Sequence, residues 1–239
     1  LVDQQDPLVG FADSLPLFVK DEDNPTSLVT ATNKLAYFNL QSFPATRTAG
    51  TRRVFCLGGS TTHGRPYDDR TSFAGWLREF LPLADPAHRW EVINAGGVSY
   101  ASYRVAAVSE QLLNLEPDLL IIYTGHNEFL EDVTFPDWQE RSGVLEETTL
   151  LAAHSRLFTL LYKGLGLSSQ GAPQADLPGE VDEILNHTVG PSSYKRDDMQ
   201  RGQVATLFQF NLRQMVRLAD QHGIPVLLVT PASNLKDFS

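Results

Sequence analysis

The sequence predicts an α/β fold built on a parallel sheet, and three observations carry that prediction. From Arg53 onward, short apolar runs alternate with stretches of helical periodicity, the pattern of strand–helix–strand units with helices on both faces. The run Asp118-Leu-Leu-Ile-Ile-Tyr123 is apolar nearly throughout, as a strand covered on both faces must be. Four such runs end in small or amide-bearing residues, and open parallel sheets bind ligands at the carboxyl ends of their strands.

The first predicted strand covers residues 53–57, and Gly58-Gly59 break it by allowing backbone angles that a side chain forbids. A helix is expected over about residues 72–81, with Phe73, Trp76, Leu77 and Phe80 on one stripe. Trp90-Glu-Val-Ile-Asn94 is the second strand and runs into Ala95-Gly96-Gly97. The next helix, about residues 101–115, sets Val105, Val108 and Leu112 along one face until Pro117 stops it. The third strand follows. Residues 146–163 read as helical, and the Gly/Ser/Pro-rich stretch 164–198 as a mobile insertion. Residues 199–222 form a long helix with Val204, Leu207, Phe208, Met215 and Ala219 inward, closed by Gly223. The fourth strand is residues 224–229. The predicted tips are Ser60, residues 94–99, Gly125-His126-Asn127 and residues 230–234.

Residues 1–50 differ in character: acidic and turn-forming residues separate short apolar pieces, and no long helix is read before Arg53. They are read as an arm packed on a domain of residues 51–239, anchored through Tyr37-Phe38 and Phe43-Pro44. No chemistry is expected of the arm.

The chain of 239 residues suits one large domain with extensions, and 42% hydrophobic with 20% charged residues is ordinary for a soluble globular protein. A net charge of −10 argues against nucleic acid or an anionic membrane as partner. No run is apolar enough to be a transmembrane segment. Residues 150–167 come nearest, but His154, Arg156 and Lys163 interrupt them. The single cysteine, Cys56, falls inside the first strand as a buried, inert thiol. Asn186-His187-Thr188 fits a glycosylation sequon. Oligomeric state has no signal here.

The stretch Gly58-Gly59-Ser60-Thr61-Thr62-His63-Gly64 admits three readings. It can be a tight turn in which Ser60 only caps a helix. It can hold phosphate, since Gly59 and Gly64 have P-loop spacing. Arg65 and Pro66 then stand where lysine and a hydroxyl residue are needed, so that reading is weak. Or Ser60 is the nucleophile of acyl transfer. This stretch alone does not decide between cap and nucleophile.

Serine attack on an ester makes a tetrahedral oxyanion, and each preorganised donor contributes on the order of 3–4 kcal/mol to its stabilisation. The Ser60 amide, an amide in the Gly96–Ser99 turn and the Asn127 side chain are the candidate donors. Asn127 and Gly96-Gly97 are also ordinary turn residues.

Together, Gly58-Gly59-Ser60-Thr61-Thr62, Asn94-Ala95-Gly96 and Gly125-His126-Asn127-Glu128 resemble blocks I, II and III of the SGNH (GDSL-like) hydrolase superfamily, over about residues 53–130. The resemblance implies a flavodoxin-like three-layer α/β/α sandwich. It also implies an ester hydrolase or acyltransferase with Ser60 as nucleophile and Asn127 as oxyanion donor. For the block II donor it leaves Gly97, Val98 and Ser99 open. Gly59, Asn94 and His126 are expected to line the cleft. The family's last block, Asp-x-x-His, is not found. Asp85-Pro-Ala-His88 has the letters but sits between the first two strands, and Asp220-Gln-His222 has the wrong spacing. The expectation is that a fifth strand and the base lie beyond Ser239.

His63 is three residues from Ser60, an awkward approach for a base. His63, Asp68, Asp69, His126 and Glu128 lack metal-site spacing, so neither metal nor other cofactor is expected. The substrate expected is a small O-acyl or O-acetyl ester or an acylated carbohydrate, in an exported or membrane-tethered protein. The competing readings are a binding-only relative that lost its base and, less favoured, a nucleotide-binding domain.

Overall fold

The computed structural model describes residues 16–129 and 198–232. The expectations for residues 1–15, 130–197 and 233–239 (the helix at 146–163, the insertion at 164–198, the sequon and Asn234) lie outside the described residues.

The segment ahead of Arg53 contains strands that sequence reasoning did not identify. It forms a three-stranded antiparallel sheet, β1 (Phe18–Lys20), β2 (Ser27–Thr30) and β3 (Ser42–Pro44), with a 3-10 turn at Thr32–Lys34. Strands of three or four residues leave little periodicity to read, which hid them in the sequence. The aromatics do anchor it. Phe43 meets Phe18 edge-on at 4.9 Å and Phe55 at 5.7 Å, and Phe38 meets Tyr100 at 5.1 Å.

The chain then builds β4 (Thr51–Gly58), the single turn α1 (Ser60–His63), α2 (Phe73–Ala84), β5 (Arg89–Gly96), α3 (Ser102–Leu112), β6 (Leu119–Tyr123), α4 (Asp198–Gln221) and β7 (Val226–Leu228). The four long-range strands pair in parallel in the order β5-β4-β6-β7. Gly58 of the central strand pairs with Gly96 on one side and Tyr123 on the other, so three carboxyl tips lie side by side.

Alternation along β4 explains the layers. Val54 and Cys56 point to one face, with Val92 and Ile121, and α2 covers them through Phe73, Ala74, Leu77 and Leu81. Phe55 and Leu57 point to the other face, where Val105, Val108 and Leu112 of α3, Met215 and Ala219 of α4, and Phe18, Phe38 and Phe43 pack. This is an α/β fold with helices on both sides of a parallel sheet.

Two helix faces differ from the periodicity reading. Trp76 and Phe80 of α2 point outward, about half exposed, and stack on each other at 5.6 Å. Phe73 and Leu77 of the expected stripe do pack on the sheet, together with Ala74, while Gly75 sits tightly against the Asp69 and Arg70 carbonyls. Leu207 of α4 is also exposed, whereas Asn211 is buried on the stripe between Phe208 and Met215. The boundaries have local causes. Ser72 caps α2 by accepting the Gly75 amide at 3.1 Å. After α4, Gly223 takes φ 68°, and the Ile224 amide reaches back to the Ala219 carbonyl.

Candidate active site

Ser60 opens α1 straight off the tip of β4. Its placement rests on Gly58 and Thr62. A Cβ on Gly58 would stand 2.0 Å from the Tyr123 carbonyl oxygen, so only glycine fits between the strands there. The Thr62 hydroxyl donates to the same carbonyl at 3.1 Å and pins α1 across β4 to β6. Ser60 is half-buried. Among the described residues neither its hydroxyl nor its amide has a hydrogen-bond partner.

Asn127 arrives from the tip of β6. It is buried, and its carboxamide donates one N–H to the Tyr100 carbonyl at 3.0 Å. That nitrogen stands 2.6 Å from where a Cβ on Gly59 would be. The structure therefore sets the Asn127 amide against the residue that precedes Ser60. Its second N–H has no acceptor among the described residues.

The turn after β5 becomes an accounting of amides. Gly96 N–H donates to Asn94 Oδ1 at 3.0 Å. Gly97 N–H donates to the Gly58 carbonyl and Val98 N–H to the Tyr37 carbonyl, both at 2.9 Å. Tyr100 N–H donates to the Gly97 carbonyl at 3.3 Å. Only Ser99 keeps an amide without a partner among the described residues. Ser99 also adopts φ 60°, the left-handed conformation more usual for glycine. Gly97 has a packing role, since a Cβ there would lie 2.7 Å from the Tyr100 ring.

Asn94 does not line the cleft. It is buried, and its nitrogen donates to Asp69 Oδ1 at 2.7 Å and to the Thr62 carbonyl at 2.9 Å. Asp69 also accepts from Gln41 and pairs with Arg78; these bonds hold its carboxyl below the usual range despite burial. The network ties the arm, α2 and β5 to the underside of α1.

The histidines divide. His63 has Nδ1 buried without a partner, and burial, with the Arg65 charge adding to it, pushes its pKa down to about 4. It is therefore neutral near pH 7. His126 is exposed and packs edge-on against Tyr123 at 5.1 Å. His88 bonds Asp85 at 2.7 Å, but at the amino end of β5. The register Thr51↔Arg89, Gly58↔Gly96 puts that pair a strand length from Ser60, on the order of 23 Å. His222 ends α4, also at the amino end of the strands, and contacts the Leu218 carbonyl. None of the described histidines bonds Ser60. Burial pushes the Cys56 thiol up to about 12, as an inert strand residue requires.

Sequence reasoning places Glu128 only within the block III match and among residues without metal-site spacing, and it does not single out Ser102 or Asn211. Glu128 accepts from the Ser102 amide and hydroxyl, each at 2.8 Å, and Asn211 donates to that hydroxyl at 2.9 Å. One signal was available: an asparagine on the inward stripe of a long helix needs a buried partner.

Among the described residues no group of histidine, cysteine, aspartate and glutamate could hold a metal, and no helix is long and apolar enough to cross a membrane. A hollow lined by Leu212, Val216 and Leu228 lies at the sheet's outer edge, two strands from Ser60, and contains no candidate site residue.

No protein-family model matches the chain, and no curated protein does. Solved structures that it resembles loosely include a two-domain esterase active on acetylated mannans, at 20% identity over 70% of this chain with TM-score 0.31. The chain spans 50% of that protein's length. Others are an acetyl xylan esterase from Geobacillus stearothermophilus (17% identity, 73% of this chain and 75% of that one, TM-score 0.34) and an alpha/beta hydrolase enzyme from the metagenome of Lake Arreo, Spain (16%, 73% and 75%, TM-score 0.30). Likeness of this degree leaves the chemistry to be read from the chain's own atoms.

Proposed function

We propose that the protein is a serine ester hydrolase or O-acyltransferase of SGNH type, acting on small O-acyl or O-acetyl esters, acylated carbohydrates among them. One observation carries the reading: the Asn127 carboxamide nitrogen is seated against Gly59, the residue before Ser60, with one N–H spent on Tyr100 and the other without an acceptor among the described residues. The uncommitted amides of Ser60 and Ser99 supply two further donors. Of the candidates in the turn, Gly97 and Val98 already donate their amides, which supports Ser99 for the role.

In this mechanism Ser60 Oγ attacks the carbonyl carbon, and its proton passes to a histidine outside the described residues. The carbonyl π electrons move onto oxygen, where the three N–H groups receive the charge. Collapse breaks the bond to the alcohol oxygen, which leaves with the proton. Water or a sugar hydroxyl then attacks the acyl-serine and releases the acid or the new ester.

The test is Ser60→Ala in the full natural protein with a chromogenic acetate ester. Loss of kcat by about a thousandfold or more is expected. Unchanged turnover removes Ser60 from the mechanism. A second reading, a carbohydrate- or partner-binding domain without catalysis, is favoured by the lack of any described histidine bonded to Ser60. Ligand binding with no turnover in wild type would establish it.

A further inference from the structure

Asn127 can serve as described only if the loop after β6 holds its carboxamide still, and residues 124–129 form no helix or strand. The next residue supplies the hold. Glu128 reaches the start of α3, where Oε1 accepts the Ser102 amide and Oε2 the Ser102 hydroxyl, each at 2.8 Å. Ala101 occupies the N-cap position of α3 and has no side chain that can cap, so a carboxylate from another loop performs the task. The Ser102 hydroxyl is oriented in turn by Asn211 of α4, which donates to it at 2.9 Å. Ser102 and Asn211 are both buried.

We propose that Glu128 is the positioning residue of this site: its two bonds onto Ser102, braced by Asn211, fix the Asn127 carboxamide over Gly59. The inference rests on the ester-hydrolase reading for its kinetic consequence, though not for its geometry. Asn127 and Glu128 grip neighbouring points of one segment, the Tyr100 carbonyl and the Ser102 amide. The same segment carries the Ser99 amide, so one clamp sets the distance between two donors of the oxyanion pocket. Without Glu128, the backbone that carries Asn127 loses this tie to α3, and the carboxamide shifts with it.

The experiment has two arms on the full natural protein. In the first, the assigned side-chain NH2 resonances of Asn127 are followed by NMR. Glu128→Ala should move them toward a free carboxamide's values. Glu128→Gln, which still accepts the Ser102 amide, should keep them near wild type, and Asn211→Ala should shift them part of the way. In the second arm, Glu128→Ala should lower kcat on an acetate ester about tenfold to a hundredfold, with KM changed less than about twofold. In an Asn127→Ala background, the same substitution should have no further effect on kcat. Unmoved Asn127 resonances in Glu128→Ala, or kinetic effects that simply multiply, overturn the proposal. If Glu128→Ala does not fold, Asn211→Ala carries the same two readouts. An inactive wild type would refute the esterase reading, and the NMR arm would still decide this one.

Discussion

The carboxamide nitrogen of Asn127 lies 2.6 Å from the position a Cβ would take on Gly59, so no side chain fits between the two residues unless one of them moves. The φ of Gly59 is −87°, which any residue can adopt, so contact and not backbone strain makes glycine necessary here. Gly59→Ala should displace Asn127 and also crowd the Tyr100 carbonyl, 3.2 Å from the new carbon. The expected result is a fall in kcat of about a hundredfold, with a stability loss of about 1–3 kcal/mol. Steady-state kinetics and a thermal melt on one preparation check both. Full activity in the variant would show that the Asn127 position is not used.

His63 makes stability depend on acid. Its pKa is about 4 in the fold against an ordinary 6.5, so between these values the unfolded chain binds more protons. The neutral imidazole's contribution is fully present above about pH 6.5 and is lost as pH falls toward about 4. Because the ring is partly exposed, screening leaves a loss on the order of 1 kcal/mol. Asp69, whose carboxyl is held low, adds a separate loss below the usual carboxylate range as pH falls. Denaturant melts at a series of pH values should show both phases, and His63→Gln should remove the upper one alone. A His63→Gln curve with the wild-type slope between pH 4 and 6.5 contradicts the assignment.

Arg53 ties the arm to the sheet. Its fully buried guanidinium pairs with Glu91 at 2.8 Å and donates to the Leu115 and Pro44 carbonyls at 2.7 Å. It also lies over the Phe43 ring, 5.1 Å from its centre. Glu91→Ala leaves a buried charge with one anionic partner fewer and should cost about 3 kcal/mol. Arg53→Met removes the charge together with its desolvation and should cost less than Glu91→Ala. Chemical denaturation of both variants gives the order, and the reverse order would mean that the ion pair itself dominates.

Much of the fold was legible because it is local. Apolar runs at residues 53–57, 90–94 and 118–123 became β4, β5 and β6 because strand formation and two-sided burial both follow from composition. The Trp76–Phe80 stripe misled because helical spacing says which residues share a face, not which face turns inward. The side that turns inward is the one with Phe73, Ala74, Leu77 and Leu81. The small strands of the arm were too short to show a period.

By itself, the sequence determined that Ser60, the 94–99 turn and the Gly125-His126-Asn127 turn would end neighbouring strands, since a parallel sheet brings its carboxyl ends to one edge. Only the tertiary structure decided how the polar groups there are spent. Gly97 gives its amide to Gly58, Val98 gives its to Tyr37, Asn94 turns under α1, and the Ser99 amide has no partner among the described residues. Hydrogen-bond partners separated by tens of residues leave no period in a chain. Which donor stays open is a property of the packed whole.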